Sequence, residues 1–268
     1  MCEPNPVVAF SPSTTRRPPV LVKNEYDHQG LHTIGGIVAR ILDELCRAAR
    51  PGMATADLDA LARTLLDRHE AEATPRKEYG FPGDICISVN DEVVHGIPGD
   101  RILATGDLIK LDLTARHRGY VADATRMIVL DGAPDSPAAR LADAARRACR
   151  AAIDNARVGM LLGDLGEIIQ NEAGRSGFTI IEELCGHGVG RRTHEAPEVP
   201  NFHDKDNPGL LQSGLVIAIE PIISAGNGGI RRLGDGWTIA TADGAWAAHY
   251  EETVIVWDHG LEVVTAIP

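Results

Sequence analysis

The 268-residue sequence is poor in cysteine, lacks long apolar runs and carries no excess of basic charge. Its five cysteines are widely scattered, which provides no disulfide framework and favours a reducing compartment. The net charge of −12 argues against a nucleic-acid-binding protein, which would normally present a basic face. No apolar run approaches the roughly 20 residues of a membrane span, and no secretory signal pattern is visible. We therefore expect a cytoplasmic protein that binds neither nucleic acid nor membranes.

The chain does contain enough apolar residues, 44%, to form a substantial core. Residues 1–22 are rich in proline, with serine and threonine between, and we interpret them as a flexible N-terminal extension. Beyond them, hydrophobic periodicity predicts helices at residues 34–49, 56–69, 137–158 and 163–174. Strands are predicted at residues 84–94, 107–115, 120–130, 178–184, 215–223, 238–241 and 252–257. Two helices followed by strands thus occur twice along the chain.

The residues themselves repeat along with this order of elements. Residues 49–53 (ARPGM) match residues 156–160 (ARVGM), and residues 103–112 (LATGDLIKLD) match residues 211–220 (LQSGLVIAIE). We therefore predict an internal duplication, with repeats at about 33–130 and 137–258. The two halves are expected to face each other about a pseudo-twofold axis, in a single α+β domain that spans residues 23–268.

The repeat places acids at equivalent positions in the two halves. Asp112 corresponds to Glu220, and Asp123 corresponds to Glu251. A carboxylate within an apolar strand is costly to bury unless it is paired or ligated. Each of these acids could instead face solvent from the polar side of its strand. Four matched acids from two halves nevertheless suit a pair of divalent metal ions.

Two of these acids are also related through a predicted hairpin. Residues 116–119 join strands 107–115 and 120–130. A hairpin centred on this segment would place Asp112 directly opposite Asp123, with Cβ atoms about 5 Å apart. Because like charges in that position repel, the pairing predicts a cation between them.

Two motifs could supply imidazoles to the same site. Residues 185–197 (CGHGVGRRTHEAP) contain His187, a possible nitrogen ligand, and His194, a possible proton donor. Residues 86–98 (CISVNDEVVHGIP) contain His95, which is followed by proline three residues later, as His194 is. A histidine in a glycine-rich loop, as residues 185–190 are predicted to form, can also be purely structural. Oxygen-rich ligation with a little imidazole suits Mn, Fe, Co or Zn better than a closed structural zinc site.

Taken together, these motifs resemble those of the type I methionine aminopeptidases, which share the pita-bread fold. The resemblance runs from about residue 33 to the C-terminus, and its most specific segments are residues 86–98, 185–197, 219–221 (IEP) and 235–238 (DGWT). It implies a metal-dependent aminopeptidase that removes N-terminal methionine from peptides and nascent chains. A metal-bridged hydroxide would attack the scissile carbonyl. The chain is expected to act as a monomer.

The resemblance also implies a role for each acid in holding two divalent ions. Asp112 would bind one ion, whereas Asp123 and Glu251 would bridge both. His187 and Glu220 would complete the second position. These are the four acids that the duplication singles out, with one histidine added.

Further residues are implied on the substrate side. His194 would stabilise the developing oxyanion, and His95 would contact the substrate near the leaving amide. Glu220 is the expected proton shuttle. The residues expected around the substrate side chain are Phe81, Cys86 and Trp237.

The sequence departs from the family pattern at three pocket positions. Glu78 stands at an aromatic wall position, unless the loop shifts and Tyr79 takes its place. Pro75 replaces a pocket cysteine, and Thr193 stands where phenylalanine is common. We expect these changes to affect the preference for methionine rather than the metal centre.

Two alternative functions remain open from the sequence. One is a related dinuclear exopeptidase, such as a prolyl aminopeptidase or prolidase, although those usually carry an extra N-terminal domain. The other is a non-catalytic binding protein of the same fold, since fold alone does not determine function. The presence of all five expected ligands argues against the second alternative.

Overall fold

Apolar faces account for the helices of the computed structural model, which describes residues 19–266, and the side chains of Asn24 and Ser136 cap two of them. Within these residues the helices are α1 (Glu25–Ala48), α2 (Thr55–Arg68), α3 (Thr74–Tyr79), α4 (Pro137–Asn155) and α5 (Leu162–Arg175). Helix α1 begins well before the predicted residue 34, because Asn24 caps it by accepting a hydrogen bond from the Asp27 N–H. The short α3 was not predicted. None of these helices is long and apolar enough to cross a membrane.

Short strands form four sheets in the described part of the chain. They are β1 (Glu72–Ala73), β2 (Cys86–Val89), β3 (Glu92–Val94), β4 (Leu108–His117), β5 (Tyr120–Val129), β6 (Thr179–Ile180), β7 (Gly186–Gly188), β8 (Glu195–Val199), β9 (Val216–Ile219), β10 (Ile222–Ser224), β11 (Ile230–Arg232), β12 (Ile239–Thr241), β13 (Ala247–His249), β14 (Glu252–Trp257) and β15 (Gly260–Val263). Two predicted strands are each divided in two. The first breaks at Asn90, which has a positive φ of 58°. The second breaks at Pro221, which has no N–H to donate to a ladder.

Two sheets form the centre of the fold. One contains β1, β4, β2 and β5, and the other runs in the order β15-β14-β9-β7-β8. They meet where Thr125 of β5 pairs with Glu251, the residue before β14. Helices α1 and α2 pack on the first sheet, and α4 and α5 pack on the second. This α+β arrangement is the predicted pita-bread architecture.

The hairpin between β4 and β5 is tighter than predicted. It turns on residues 118 and 119 alone, with positive φ values of 49° and 83°, as two-residue type I′ turns require. The register pairs Asp112 with Thr125, and Thr114 with Asp123. The predicted direct opposition of Asp112 and Asp123 is therefore wrong. The two acids are instead diagonal neighbours across the ladder, still close enough to interact.

The same backbone hydrogen bonds recur in the two halves. The Gly52 N–H donates to the Leu103 carbonyl oxygen at 2.8 Å, and the Gly159 N–H donates to the Leu211 carbonyl oxygen at 2.8 Å. Two further bonds recur in the same way, from the N–H groups of Gly106 and Gly214 to the carbonyl oxygens of Leu130 and Val256. All four glycines have φ between 85° and 90°, which L side chains adopt only with strain. These matched turns support the predicted duplication.

The N-terminal segment enters the fold earlier than predicted. Residues 1–18 of the expected flexible extension lie outside the described residues. Leu21 pairs with Leu215, and the Val22 N–H donates to the Gly214 carbonyl oxygen at 2.7 Å. Residues 20–22 therefore belong to the ordered structure, because they extend the ladder beside the start of β9.

Candidate active site

The predicted acids gather where the two central sheets meet. Ligand atoms of Asp123, His187 and Glu251 all lie within 4.8 Å of one another. Glu220 reaches the same place, with Oε1 3.5 Å from His187 Nε2. Asp112 joins through a hydrogen bond between its carboxyl group and that of Asp123. The structure thus brings all five predicted ligands into one cluster.

Glycines on either side of His187 allow it to enter this cluster. The segment was read from the sequence as a glycine-rich loop, but it forms strand β7, between β9 and β8. A Cβ atom on Gly186 would lie 2.4 Å from the Ala218 carbonyl oxygen, and one on Gly188 would lie 2.0 Å from the Ala196 carbonyl oxygen. Only glycine therefore lets the three strands approach so closely.

The carboxyl groups of the cluster bind protons strongly when no cation is present. Burial, followed by the charges of the neighbouring acids, raises the pKa of Asp112 and of Glu251 well above their usual values. Burial also raises the pKa of Glu220 to about 8, although His187 opposes the rise. Among the described residues, none donates a hydrogen bond to the buried Glu251 Oε1. Four carboxyl groups, one imidazole and an unsatisfied buried oxygen fit divalent ions of the Mn, Fe, Co or Zn type.

Hydrogen bonds orient the potential ligands. His187 Nδ1 lies 2.9 Å from the Gly188 carbonyl oxygen. A carbonyl only accepts, so we assign the ring proton to Nδ1, which leaves the Nε2 lone pair facing the acids. Thr114 donates to Asp123 Oδ2 at 2.7 Å, and Thr125 donates to Glu251 Oε2 at 3.0 Å. Neither threonine was predicted, although each lies two residues from an acid along its strand, and so on the same face.

His249, at the end of β13, was also missed. Its Nε2 lies 3.1 Å from Glu220 Oε2 and 3.8 Å from Glu251 Oε2. Burial lowers its pKa to about 3, although Asp123 opposes the fall. A neutral imidazole therefore lies beside the acids. It contacts Oε2 of Glu220, whereas His187 faces Oε1 of the same side chain. No strand alternation marked His249 in the sequence, because β13 ends at this residue and Glu251 lies outside that strand.

The histidines predicted on the substrate side adjoin this cluster. The rings of His194 and His187 have centroids 4.3 Å apart. Burial, followed by the charges of His187 and His95, lowers the pKa of His194 well below its usual value. Burial also lowers the pKa of His95 to about 3. Both side chains are therefore neutral near pH 7. The His95 backbone has a positive φ of 58°, and its carbonyl accepts a hydrogen bond from Thr238 at 3.4 Å.

The loop that departs from the family pattern contacts His194 through Tyr79. The Tyr79 hydroxyl lies 3.0 Å from His194 Nδ1, and the two rings have centroids 5.7 Å apart. Glu78 instead forms an ion pair with Arg116 and accepts a hydrogen bond from the Thr193 N–H at 3.3 Å. Of the two alternatives left open by the sequence, the structure therefore places Tyr79, not Glu78, against the site.

The three residues expected around the substrate side chain occupy two neighbouring places. Phe81 and Trp237 pack edge to face, with ring centroids 5.3 Å apart. Cys86 on β2 pairs across the ladder with Asp112, and burial raises the pKa of its thiol well above the usual value. The thiol is therefore a protonated, apolar neighbour of the acids, and the aromatic pair offers apolar surface.

Sequence comparison agrees with this geometry. Residues 29–258 match metallopeptidase family M24. The chain is 41% identical to methionine aminopeptidase 2 of Bacillus subtilis over 239 residues, which is 88% of this chain and 96% of that protein. It is 36% identical to a methionine aminopeptidase of Clostridium perfringens over 92% of this chain and 99% of that protein.

Structural comparison leads to the same family. A solved methionine aminopeptidase from Rickettsia prowazekii matches with a TM-score of 0.88 at 31% identity. The match covers 93% of this chain and 100% of that chain. A prolidase from Pyrococcus furiosus shares the fold with a TM-score of 0.73 at 21% identity, covering 92% of this chain and 66% of that one. The chain belongs to metallopeptidase family M24 and, within it, is a relative of the methionine aminopeptidases.

Proposed function

We propose that this protein removes N-terminal methionine from peptides and nascent chains, using divalent metal ions held by the five clustered residues. The observation that carries the proposal is the meeting of four carboxyl groups and one imidazole at the junction of two matched halves. The names of the M24 relatives point to the same substrate. The monomeric state and the cytoplasmic location stay predictions.

Two ions fit the distribution of the ligands. Asp112 would hold one ion, Asp123 and Glu251 would bridge, and His187 and Glu220 would hold the other. When bound, such ions provide an activated water molecule and polarise the scissile carbonyl. This mixed oxygen and nitrogen set accepts Mn, Fe, Co and Zn.

The neighbouring side chains orient the peptide and move protons. When the Tyr79 hydroxyl donates a hydrogen bond to Nδ1, His194 carries its proton on Nε2. The Nε2–H then donates a hydrogen bond to the carbonyl oxygen of the peptide as negative charge develops there. Neutral His95 contacts the peptide near the leaving amide. Glu220 would take a proton and return it to the leaving amine.

The preference for methionine rests on apolar contact. Phe81 and Trp237 present aromatic surface to an unbranched side chain, and the neutral Cys86 thiol adds a small polarisable group. One methylene is worth only about 1–3 kcal/mol in such a pocket. We therefore expect methionine to be preferred over smaller residues by a moderate factor.

A cleavage assay tests this function. Metal-stripped protein is supplied separately with Mn²⁺, Fe²⁺, Co²⁺ and Zn²⁺ and offered Met-Ala-Ser, Gly-Ala-Ser and Ala-Pro-Ser peptides. We expect release of methionine from the first peptide, loss of activity in Asp123→Asn and Glu251→Gln, and normal activity in Asp131→Asn. Near-normal turnover in either of the first two variants would refute the metal cluster. Preferential cleavage of the proline peptide would instead assign a prolidase-like activity.

A further inference from the structure

A second group of possible metal ligands lies between α1 and β15, and none of its members belongs to the candidate active site. His28 and His32 are four residues apart on α1 and so project from one face of the helix. His28 Nε2 lies 3.0 Å from Glu262 Oε2, and His32 Nε2 lies 2.9 Å from Glu262 Oε1. Ligand atoms of the three residues lie within 4.8 Å of one another.

The surrounding structure holds these side chains in place. The Trp257 Nε1–H donates to Glu262 Oε2 at 2.6 Å, and so orients the carboxylate. The imidazole rings of His28 and His32 have centroids 4.5 Å apart, and His28 also packs edge to face on Trp257. Hydrogen bonds to a ligating carboxylate are typical of the outer shell of metal sites. The three side chains are 29–39% exposed, so ions and water can reach them.

The donor set is one that zinc uses. Two imidazoles and one carboxylate form the protein ligands of many zinc sites, with water in the fourth position. Two histidines four residues apart on a helix present their nitrogens to a single ion. Glu262 directs its two carboxylate oxygens at the Nε2 atoms of His28 and His32, and a glutamate carboxylate is ordinarily ionised near pH 7. A negative ligand is therefore available to a cation.

We propose that His28, His32 and Glu262 bind one zinc ion, with water completing its coordination. To bind the ion, each imidazole presents its Nε2 lone pair, so a neutral ring carries its proton on Nδ1 and a protonated ring releases one proton to solvent. The ion thereby fastens α1 to the hairpin formed by β14 and β15. The ligands also distinguish this zinc site from the candidate active site, because imidazole favours zinc whereas a carboxylate-rich cluster accepts manganese.

The test compares zinc binding by the wild type and by the double variant His28→Gln/His32→Gln. Glutamine keeps an N–H donor for Glu262, so the hydrogen bonds of the cluster are largely retained. His203→Gln is the matched control, because His203 belongs to a separate Asp-Glu-His group on the surface. Each chelator-treated protein is saturated with Zn²⁺ and dialysed. The bound zinc is then counted, and the thermal midpoint is measured with and without zinc.

We expect the wild type and His203→Gln to keep one more zinc ion per chain than the double variant. Their midpoints should rise with zinc by about 5 °C more, and Mn²⁺ should produce no such difference. Glu262→Gln, which keeps both imidazoles, should also lose the ion. Cleavage of Met-Ala-Ser with Mn²⁺ should be equal in all four proteins, which separates this zinc site from the proposed function. Equal zinc content and equal midpoint shifts in the wild type and the double variant would overturn the proposal.

Discussion

Hydrogen bonds to imidazole Nδ1 atoms determine what two neighbouring histidines can do. The Gly188 carbonyl oxygen can only accept, so His187 donates from Nδ1 and presents an Nε2 lone pair. The Tyr79 hydroxyl can donate, so His194 can keep a proton on Nε2. One ring is therefore suited to bind a cation, and the other is suited to donate to a carbonyl oxygen.

Removal of the Tyr79 hydroxyl should weaken catalysis more than binding. Loss of one hydrogen bond costs about 0.5–1.5 kcal/mol, so Tyr79→Phe should lower kcat about 2- to 13-fold. KM should change little, because the aromatic ring remains. Steady-state kinetics on Met-Ala-Ser would measure both constants, with the exposed Tyr26→Phe as control. A change confined to KM would place Tyr79 in ground-state binding instead.

Glu78 should affect kcat indirectly, through the loop that its carboxylate anchors. Its carboxylate joins Arg116 to the Thr193 N–H, next to His194. In Glu78→Ala the loop loses this anchor, and a displacement of about 1 Å can cost up to about 100-fold in rate. Glu72→Ala is the matched control, because Glu72 also pairs with Arg116 but is not the acceptor of the Thr193 N–H. Equal kcat values for the two variants would contradict this role.

Four of the five clustered ligands could be predicted from the sequence because the duplication marks them, whereas His187 was predicted from its glycine-rich motif. A carboxylate that recurs at the same point of a repeat needs a shared reason, and the sequence alone shows this recurrence. The register of Asp112 and Asp123 could not be predicted, because Arg118 adopts a positive φ that is uncommon outside glycine and asparagine. The contacts of His249 and Tyr79 depend on long-range packing, which leaves no local pattern.

At the scale of elements, β7 shows how closely packed backbones position a side chain. It has glycine on both sides of His187, a composition that disfavours strands in general. This is why the sequence indicated a loop. The neighbouring backbones at Ala196 and Ala218 leave no room for a Cβ atom. The tertiary contact therefore outweighs local propensity in this segment.

Substitution within β7 should loosen the cluster. Gly188→Ala places a methyl group 2.0 Å from the Ala196 carbonyl oxygen, so β7 and β8 must separate and His187 must move. We expect metal affinity to fall about 10- to 100-fold, as when outer-shell support is lost. Gly174→Ala is the control, because its Cβ would meet nothing within 4 Å on the exposed side of α5. That variant should gain about 0.5–1 kcal/mol of stability. Isothermal titration with Mn²⁺ and urea unfolding would measure the two effects.

At the scale of the whole molecule, the buried acids should make stability depend on pH and on metal. The pKa values of Glu220, Asp112 and Glu251 are raised in the folded state. Below about pH 4.5 their contribution to the free energy of unfolding is fully present. As pH rises toward about 8, the folded state binds more protons than the unfolded state, so the free energy of unfolding falls. The buried histidines His95, His194 and His249 oppose this change because their pKa values are lowered. Urea unfolding of chelator-treated wild type and Glu220→Gln at about pH 5 and about pH 8 should therefore show the decrease as a difference between the two proteins.

Added Mn²⁺ should offset the decrease, because the ion takes the place of the protons on the acids. The same unfolding measurements with Mn²⁺ present provide the comparison. If the stabilities of chelator-treated wild type and Glu220→Gln changed equally between the two pH values, Glu220 would not be protonated in the folded state, and the prediction would be wrong.

The ligands are divided between the two halves, so the ligand set is complete only when the halves are docked. The first half contributes Asp112 and Asp123, and the second contributes His187, Glu220 and Glu251. Neither half holds a complete ligand set, so the cluster resembles a subunit interface that happens to lie within one polypeptide. Residues 131–136 then act as a tether, which converts a bimolecular encounter into an intramolecular one at high effective concentration. Metal affinity would therefore report how well the two halves are docked.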